Sequence, residues 1–413
     1  MLKRVFIASL LVILVSFYLF PVSFVFLPRS LNSKILLAGF GVFAFMYDSV
    51  MTRSITIPRY FLYSALFAIV FSLWCFYSIN ANATEDFTYV RYWISFFTWV
   101  LGAYAICFLF THFTGSVSLS KVTYYLATVC VVQCFLAEAI SLNPLFQYYV
   151  DRVFIQGQEF YKEINRMYGI GAALDPAGVR FSVVLVLMAH QMSSTGKVME
   201  STFWSLFYFL SYIIIVIIGS MIARTTWVGA SLGLVYMIVS YLRLDRGYLS
   251  GKQQQFWLLF FGMTLLTILI STVLYRVSPD FRSNLRFGFE GFFNWAESGV
   301  FRTGSTDKLN GNMWVWPQDS RTWLIGTGYF DNWAFGTDIG YCRFILYCGV
   351  VGMGIFSLLF IFSGISLMSK FPNFTIMGLF CIALVFIVWL KVSTDIFFLF
   401  SLLHWLPNEK VIE

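Results

Sequence analysis

The chain has 413 residues, of which 59% are hydrophobic and only 11% charged, and its mean hydropathy is +0.78. A soluble domain carries about 25% charged residues, so this composition excludes an ordinary water-soluble protein. The formal charge of +7 gathers in no clustered basic face, which gives nucleic-acid binding no support. A length that would otherwise make roughly two or three soluble domains is read as a single transmembrane domain over residues 1–413.

The first apolar segment, Val5 to Leu27, follows Lys3 and Arg4. It is longer than the roughly 7–15-residue apolar region of a signal peptide and has no small-residue cleavage site. It therefore reads as a retained helix with a cytoplasmic N-terminus. A bilayer-spanning helix needs about 20 mostly apolar residues. In chain order the candidates are 5–27, 35–51, 60–79, 92–110, 121–142, 176–192, 203–222, 226–242, 256–274, 341–366, 374–390 and 393–406. The fold class is thus all-α and polytopic, with about 12 transmembrane helices. Trp93, Trp204, Trp257 and Tyr341 stand at segment ends, where interfacial aromatics belong.

With the N-terminus inside, the short inner connections hold Arg53, Arg59, Lys121, Lys197, Arg243, Arg246, Lys252 and Lys370. The short outer ones hold Arg29, Lys34, Arg91, Arg224 and Lys391. This positive-inside bias puts two long loops, 143–175 and 275–340, on the outer face. The seven cysteines (75, 107, 130, 134, 342, 348 and 381) lie in or beside apolar segments and read as small buried hydrophobes. They complete no metal site and no disulfide framework, so neither a metal nor a cofactor is expected.

The helices offer few polar groups, so chemistry is expected in the long loops. Residues 275–340 contain five arginines (276, 282, 286, 302 and 321), one lysine, seven carboxylates and fifteen aromatics. Five of the aromatics are tryptophans, at 295, 314, 316, 323 and 333. Flat rings beside charged groups suit the C–H face of a sugar; they also suit a small folded cap at the membrane interface. Residues 223–229 read ARTTWVG, with Arg224 pinched between two apolar helices. An ionisable group so placed is costly and by default a functional-site hypothesis, with snorkelling to the interface as the competing reading. Residues 324–354 read LIGTGYFDNWAFGTDIGYCRFILYCGVVGMG, a glycine turn, an Asp-x-Gly-Tyr step, an arginine one turn into a helix and a Gly-x-x-Gly.

In that order these elements resemble the O-antigen polymerase (Wzy) family, within the wider superfamily of O-antigen ligases and polymerases. ARTTWVG is similar to the family's Ser/Thr-Arg-x-x-Trp junction, with Ala223 in place of the hydroxyl residue. GIGAALDPAG (169–178) resembles its glycine-rich segment before a helix, and EGFFNWAESGVFRTGSTDKL (290–309) its loop upstream of the Gly-x-Gly turn. The resemblance implies a membrane-embedded glycosyltransferase of the bacterial inner membrane. Such an enzyme joins undecaprenyl-pyrophosphate-linked repeat units on the periplasmic face, with a chain-length regulator and a flippase as possible partners. The absence of an Asp-x-Asp signature and of a Rossmann fingerprint fits a donor that is not a soluble nucleotide sugar.

A pyrophosphate leaving group needs its growing charge stabilised, which arginines can do, and the acceptor hydroxyl needs a base. The resemblance and this charge logic assign Arg224 to the donor pyrophosphate. They assign Asp338 to the acceptor, with Tyr341 and Arg343 supporting that helix entrance and Glu290 as a second base. Arg166, Arg286, Arg302 and Arg321 are candidates for phosphate or glycan contacts. Ion pairing inside the cap competes for each loop arginine, and helix N-capping competes for Asp338 and for Asp175 before Pro176. Lys391 and Asp395, four apart, are expected to pair across a helical turn, or Lys391 to meet lipid phosphate.

O-antigen ligases share the architecture but carry a histidine eleven residues before the first glycine of Gly-x-x-Gly. Here that position is Asp338, which favours polymerase over ligase. A lipid-linked-sugar flippase would show paired repeats and midplane charges, and no repeat is present. A loop that only recruits a partner protein is the third alternative.

Overall fold

The computed structural model describes residues 2–55, 57–194, 198, 201–243, 251–330 and 335–407. Lys197, Arg246 and Trp333 lie outside the described residues. All twelve apolar stretches contain a helix. These are α1 (Leu2–Leu19), α2 (Ser33–Thr52), α3 (Arg59–Ala81), α4 (Tyr92–Thr114), α5 (Leu119–Leu142), α8 (Leu174–Ser194), α9 (Thr202–Ile222), α10 (Thr226–Arg243), α11 (Gly251–Val277), α16 (Gly340–Lys370), α17 (Thr375–Val388) and α18 (Phe397–Trp405). Eight of the described helices are long and apolar enough to cross a membrane, and the chain is an all-α membrane protein. The described strands are two residue pairs, Ser23–Phe24 against Phe154–Ile155.

Three sequence expectations need correction. The first helix stops at Leu19 rather than Leu27, because Pro21 disfavours helical backbone at Phe20 and cannot donate to the ladder. The last helix begins only at Phe397, whose N–H donates to the Asp395 carboxylate. Residues 390–396 are irregular, so Lys391 and Asp395 do not share a helical turn.

The two long loops are themselves folded into short helices: α6 (Pro144–Val153), α7 (Gln158–Glu163), α12 (Pro279–Gly288), α13 (Glu290–Ser298), α14 (Gly304–Asn312) and α15 (Ser320–Ile325). The local sequence starts them. Asn143, Ser278, Thr303 and Asp319 each accept from a backbone N–H in the first turn, satisfying donors that a helix start leaves open. Pro144 and Pro279 stand at first positions where no N–H is needed. All seven cysteines are free and buried.

The chain forms two compact units. One comprises residues 1–33 and 118–301, the other 34–117 and 302–413. In the first, α8 is buried along most of its length and packs on α10 through small residues. A Cβ on Gly229 would lie 2.1 Å from Ser182 Cα, and one on Gly178 2.9 Å from Ala223 Cβ. Small residues four apart on each helix, Gly178/Ser182 and Gly229/Gly233, let the backbones close up as in membrane helix pairs. The Ser182 hydroxyl then donates to Thr225 O (2.9 Å) and accepts from Gly229 N (3.0 Å).

In the second unit α16 is broken at Gly349 (φ 69, ψ 178), a backbone region open essentially to glycine alone. Three of the carbonyls beside this break find partners outside the helix. Leu346 O accepts from Thr327 N (2.7 Å), Tyr347 O from Gly328 N (2.9 Å) and Ser78 (3.0 Å), and Cys348 O from the Trp74 indole (2.8 Å). The glycine turn at 326–328 and the Gly-x-x-Gly at 349 are therefore two halves of one contact. A Cβ on Gly326 would sit 2.2 Å from Tyr347 O, and one on Gly349 2.1 Å from Leu324 O. Gly349→Ala is expected to lower the melting temperature of the detergent-solubilised protein by several degrees, through about 1–3 kcal/mol of backbone strain plus the clash. Gly354→Ala, where a Cβ meets nothing within 4 Å, should leave it unchanged or raise it. Equal melting temperatures for the two variants would refute the docking role of Gly349.

Candidate functional site

The site begins at the gap between α9 and α10. Ala223 is extended (φ −152, ψ 121) and ends α9, while Thr226 starts α10, so Arg224 lies in a short break between two apolar helices. The break is sealed on Gly219 O, which accepts from Ala223 N (2.8 Å) and the Thr226 hydroxyl (3.0 Å). Trp227 fixes the far side by donating its indole N–H to Gly288 O (3.0 Å), where α12 gives way to α13.

Arg224 is thereby delivered to the α12–α13 junction. Its guanidinium pairs with the Glu290 carboxylate, both side chains being mostly buried at 16% and 29% exposure. Its Cζ lies 4.3 Å from the centroid of the Phe287 ring, and that of Arg166 lies 3.6 Å from the same ring. Two cations on one phenyl ring each gain about 0.5–2 kcal/mol from its quadrupole, but they also repel one another. Burial first, and then the charge of Arg224, pull the Arg166 guanidinium below its ordinary value, while Asp175 and Glu290 act in the opposite sense. The four charges thus share one field. Asp175 accepts from the Thr225 hydroxyl. The residue before it, Leu174, is held at φ 52, a conformation that bulky side chains seldom adopt.

Beside this cluster lies an apolar cleft of about 580 Å³. Trp227, Leu285, Phe289 and Phe293 form its end wall, and α9 and α11 contribute Ile213, Ile217, Phe260 and Ile268. Leu285, Phe289 and Phe293 recur every four residues and face the cleft. Phe287 and Glu290, on intervening positions, serve the charge cluster.

Three of the nine predicted site residues, Arg166, Arg224 and Glu290, are thus brought together in the first unit. Arg286 is not. It faces Glu297 through two bonds (2.8 and 2.9 Å) and meets the Tyr275 hydroxyl at 3.3 Å, the pairing that competed with a functional role. Arg302 likewise pairs with Asp307 (2.8 Å), and Arg321 donates to Ala81 O (2.5 Å). In the second unit Asp338 does not hold the N-cap position of α16, which belongs to Ile339. Tyr341 donates its hydroxyl to Phe386 O (2.9 Å). Arg343 binds Phe330 O (2.6 Å) and Ser393 Oγ (3.2 Å) with its Cζ 3.9 Å from the Phe330 ring centroid. Sequence reasoning missed Phe287, which nothing marks among 48 phenylalanines. It also undervalued Asp175, whose partner Thr225 sits inside the motif already singled out.

No family model matches the chain, and no curated protein or solved structure gives a significant match.

The Arg224–Glu290 pair has a testable energetic signature. Glu290→Leu alone leaves a mostly buried guanidinium facing a second one, and is expected to cost about 1–3 kcal/mol, between exposed and fully buried pairs. Adding Arg224→Met should restore part of the loss. Thermal unfolding of the single and double variants checks this, and strictly additive losses would show the pair to be uncoupled.

Proposed function

We propose that the chain is a polysaccharide polymerase of the O-antigen (Wzy) type, joining lipid-pyrophosphate-linked repeat units outside the bacterial inner membrane. The observation that carries the reading is the pair of guanidiniums, Arg166 and Arg224, held on one phenyl ring beside an apolar cleft between candidate spans. A polyanionic head group on a long hydrocarbon tail matches that combination of charge and surface. In this reading twelve helices cross the membrane and the loops at 143–175 and 275–340 face the periplasm.

The reaction breaks the bond between the donor's anomeric carbon and its pyrophosphate oxygen, which keeps the electron pair. The acceptor hydroxyl forms the new glycosidic bond and gives up its proton. Arg224 and Arg166 stabilise the charge growing on the pyrophosphate, and in a site poor in water such fixed charges act strongly. Glu290, hydrogen-bonded to Arg224, is a carboxylate of the cluster that can take the proton once substrate phosphate competes for the guanidinium. Asp338 is assigned to the acceptor on motif order, with Tyr341 and Arg343 supporting the start of α16. The repeat units pass from a flippase to this enzyme, and a chain-length regulator acts with it.

Arg224→Ala is expected to abolish the ladder of long chains on a gel of surface polysaccharide at normal protein levels. Arg224→Lys should restore it only weakly, because a point charge cannot bond phosphate bidentately. A normal ladder from Arg224→Ala would remove Arg224 from the mechanism. Deletion of the chain should leave lipid A–core carrying one repeat unit; bare core would instead indicate ligase activity.

A further inference from the structure

We propose that Trp314, Trp316 and Trp323 form a binding platform for the glycan chain, a carbohydrate site separate from the arginine cluster and resting on the polymerase reading. The three indoles make a continuous stack. Trp314 and Trp316 have centroids 5.7 Å apart at 30°, and Trp316 and Trp323 5.7 Å apart at 12°. Each is more than a third exposed, at 41%, 37% and 36%. Flat apolar rings left in contact with solvent forgo the burial that normally stabilises tryptophan, so the arrangement points to a flat ligand.

The stack stands on a fixed base. Met313 and Val315 pack against the buried Ile339, Cys342 and Leu346, so that Trp314 and Trp316, alternating with them, are turned outward. Thr337 donates to Met313 O at 2.5 Å. Trp323 rides on α15, whose first turn is capped by Asp319 through Thr322 N (2.9 Å) and the Thr322 hydroxyl (2.6 Å). Ser78 and Asn82 hold the end of that helix at Ile325 O (2.6 Å) and Gly326 O (3.0 Å). A preorganised aromatic surface loses little entropy on binding.

A second observation concerns the indole N–H groups. In the same unit Trp74, Trp389 and Trp405 each donate to a backbone carbonyl, at 2.8, 2.7 and 2.9 Å. Among the described residues, no such bond is made by Trp314, Trp316 or Trp323. The three donors therefore stand beside the exposed ring surface of the stack, the pairing a sugar meets with its hydroxyls and its C–H face. The surroundings favour a sugar over a lipid surface. Interfacial tryptophans flank apolar helix ends, whereas Gln318, Asp319, Ser320 and Arg321, all exposed, lie between Trp316 and Trp323.

The test uses the full-length protein in nanodiscs and, as probe, delipidated fragments of the host polysaccharide several repeats long. Trp316→Ala with Trp323→Ala should weaken binding roughly ten-fold, the loss of about two stacking contacts, at an unchanged melting temperature. Trp295→Ala, outside the stack, should bind as the parent does. Should the double variant melt early, Trp316→Phe, which keeps a ring, must show an intermediate affinity. In cells the double variant should make shorter chains while still joining the first two repeats. Unchanged fragment binding would overturn the platform. Intact fragment binding with lost association to anionic lipid vesicles would instead make the patch a membrane anchor. Failure here leaves the polymerase reading standing so long as Arg224→Ala abolishes polymer; normal polymer after deletion of the chain would remove that reading itself.

Discussion

A backbone carbonyl that loses its helical partner in hydrocarbon has no water to turn to, and both special features of this protein occur where a helix is interrupted. Within the candidate span α16, Gly349 turns the chain, and Thr327, Gly328, Ser78 and Trp74 donate to the carbonyls of residues 346–348. Between α9 and α10, Gly219 O accepts from Ala223 and Thr226, and Thr225 O from Ser182. Several of these repairs depend on close backbone approach, which Gly326, Gly349 and Gly229 permit.

An interruption so repaired can carry a residue that an unbroken apolar helix could not. Arg224 leaves the helical path where α9 ends, and reaches a ring and a carboxylate on a different element. A guanidinium taken out of water is costly unless paired and hydrogen-bonded, and Glu290 meets that need in part. Arg166 beside it adds a second positive charge to the same ring. Two cations and the carboxylates of Glu290 and Asp175 make a field that a phosphate oxygen could enter by displacing Glu290. The adjacent cleft, walled by Trp227, Phe289 and Phe293, is apolar, and in the proposed reading it would take the hydrocarbon chain that the phosphate carries.

The apolar helices and their approximate placement were legible because a long apolar run announces itself by length and composition alone, and eight of the described helices are long enough to span. Helix ends were less so: apolar content ran on past Leu19, and only the geometry of Pro21 ended the helix there. Arg224 could be read because it is a lone charge between two apolar runs. Arg286, Arg302 and Arg321 looked equivalent to Arg166 in sequence. Their difference lies in a neighbouring Glu297, Asp307 or Ala81 carbonyl, which no spacing rule reveals. Phe287 was invisible for the opposite reason, being one phenylalanine among many whose role depends on which cations fold over it. The two glycine motifs were visible, yet their joint meaning as one contact needed the fold.

The central claim is that Arg166 and Arg224 together hold a lipid-linked pyrophosphate. Native mass spectrometry of the purified protein loaded with undecaprenyl pyrophosphate tests it most directly. The parent protein should retain the lipid, and Arg166→Met with Arg224→Met should release it, with retention falling more than about ten-fold for the loss of two charge-assisted contacts. Undecaprenol, lacking the phosphates, should bind both proteins alike. Equal retention of the pyrophosphate by parent and double variant would contradict the account.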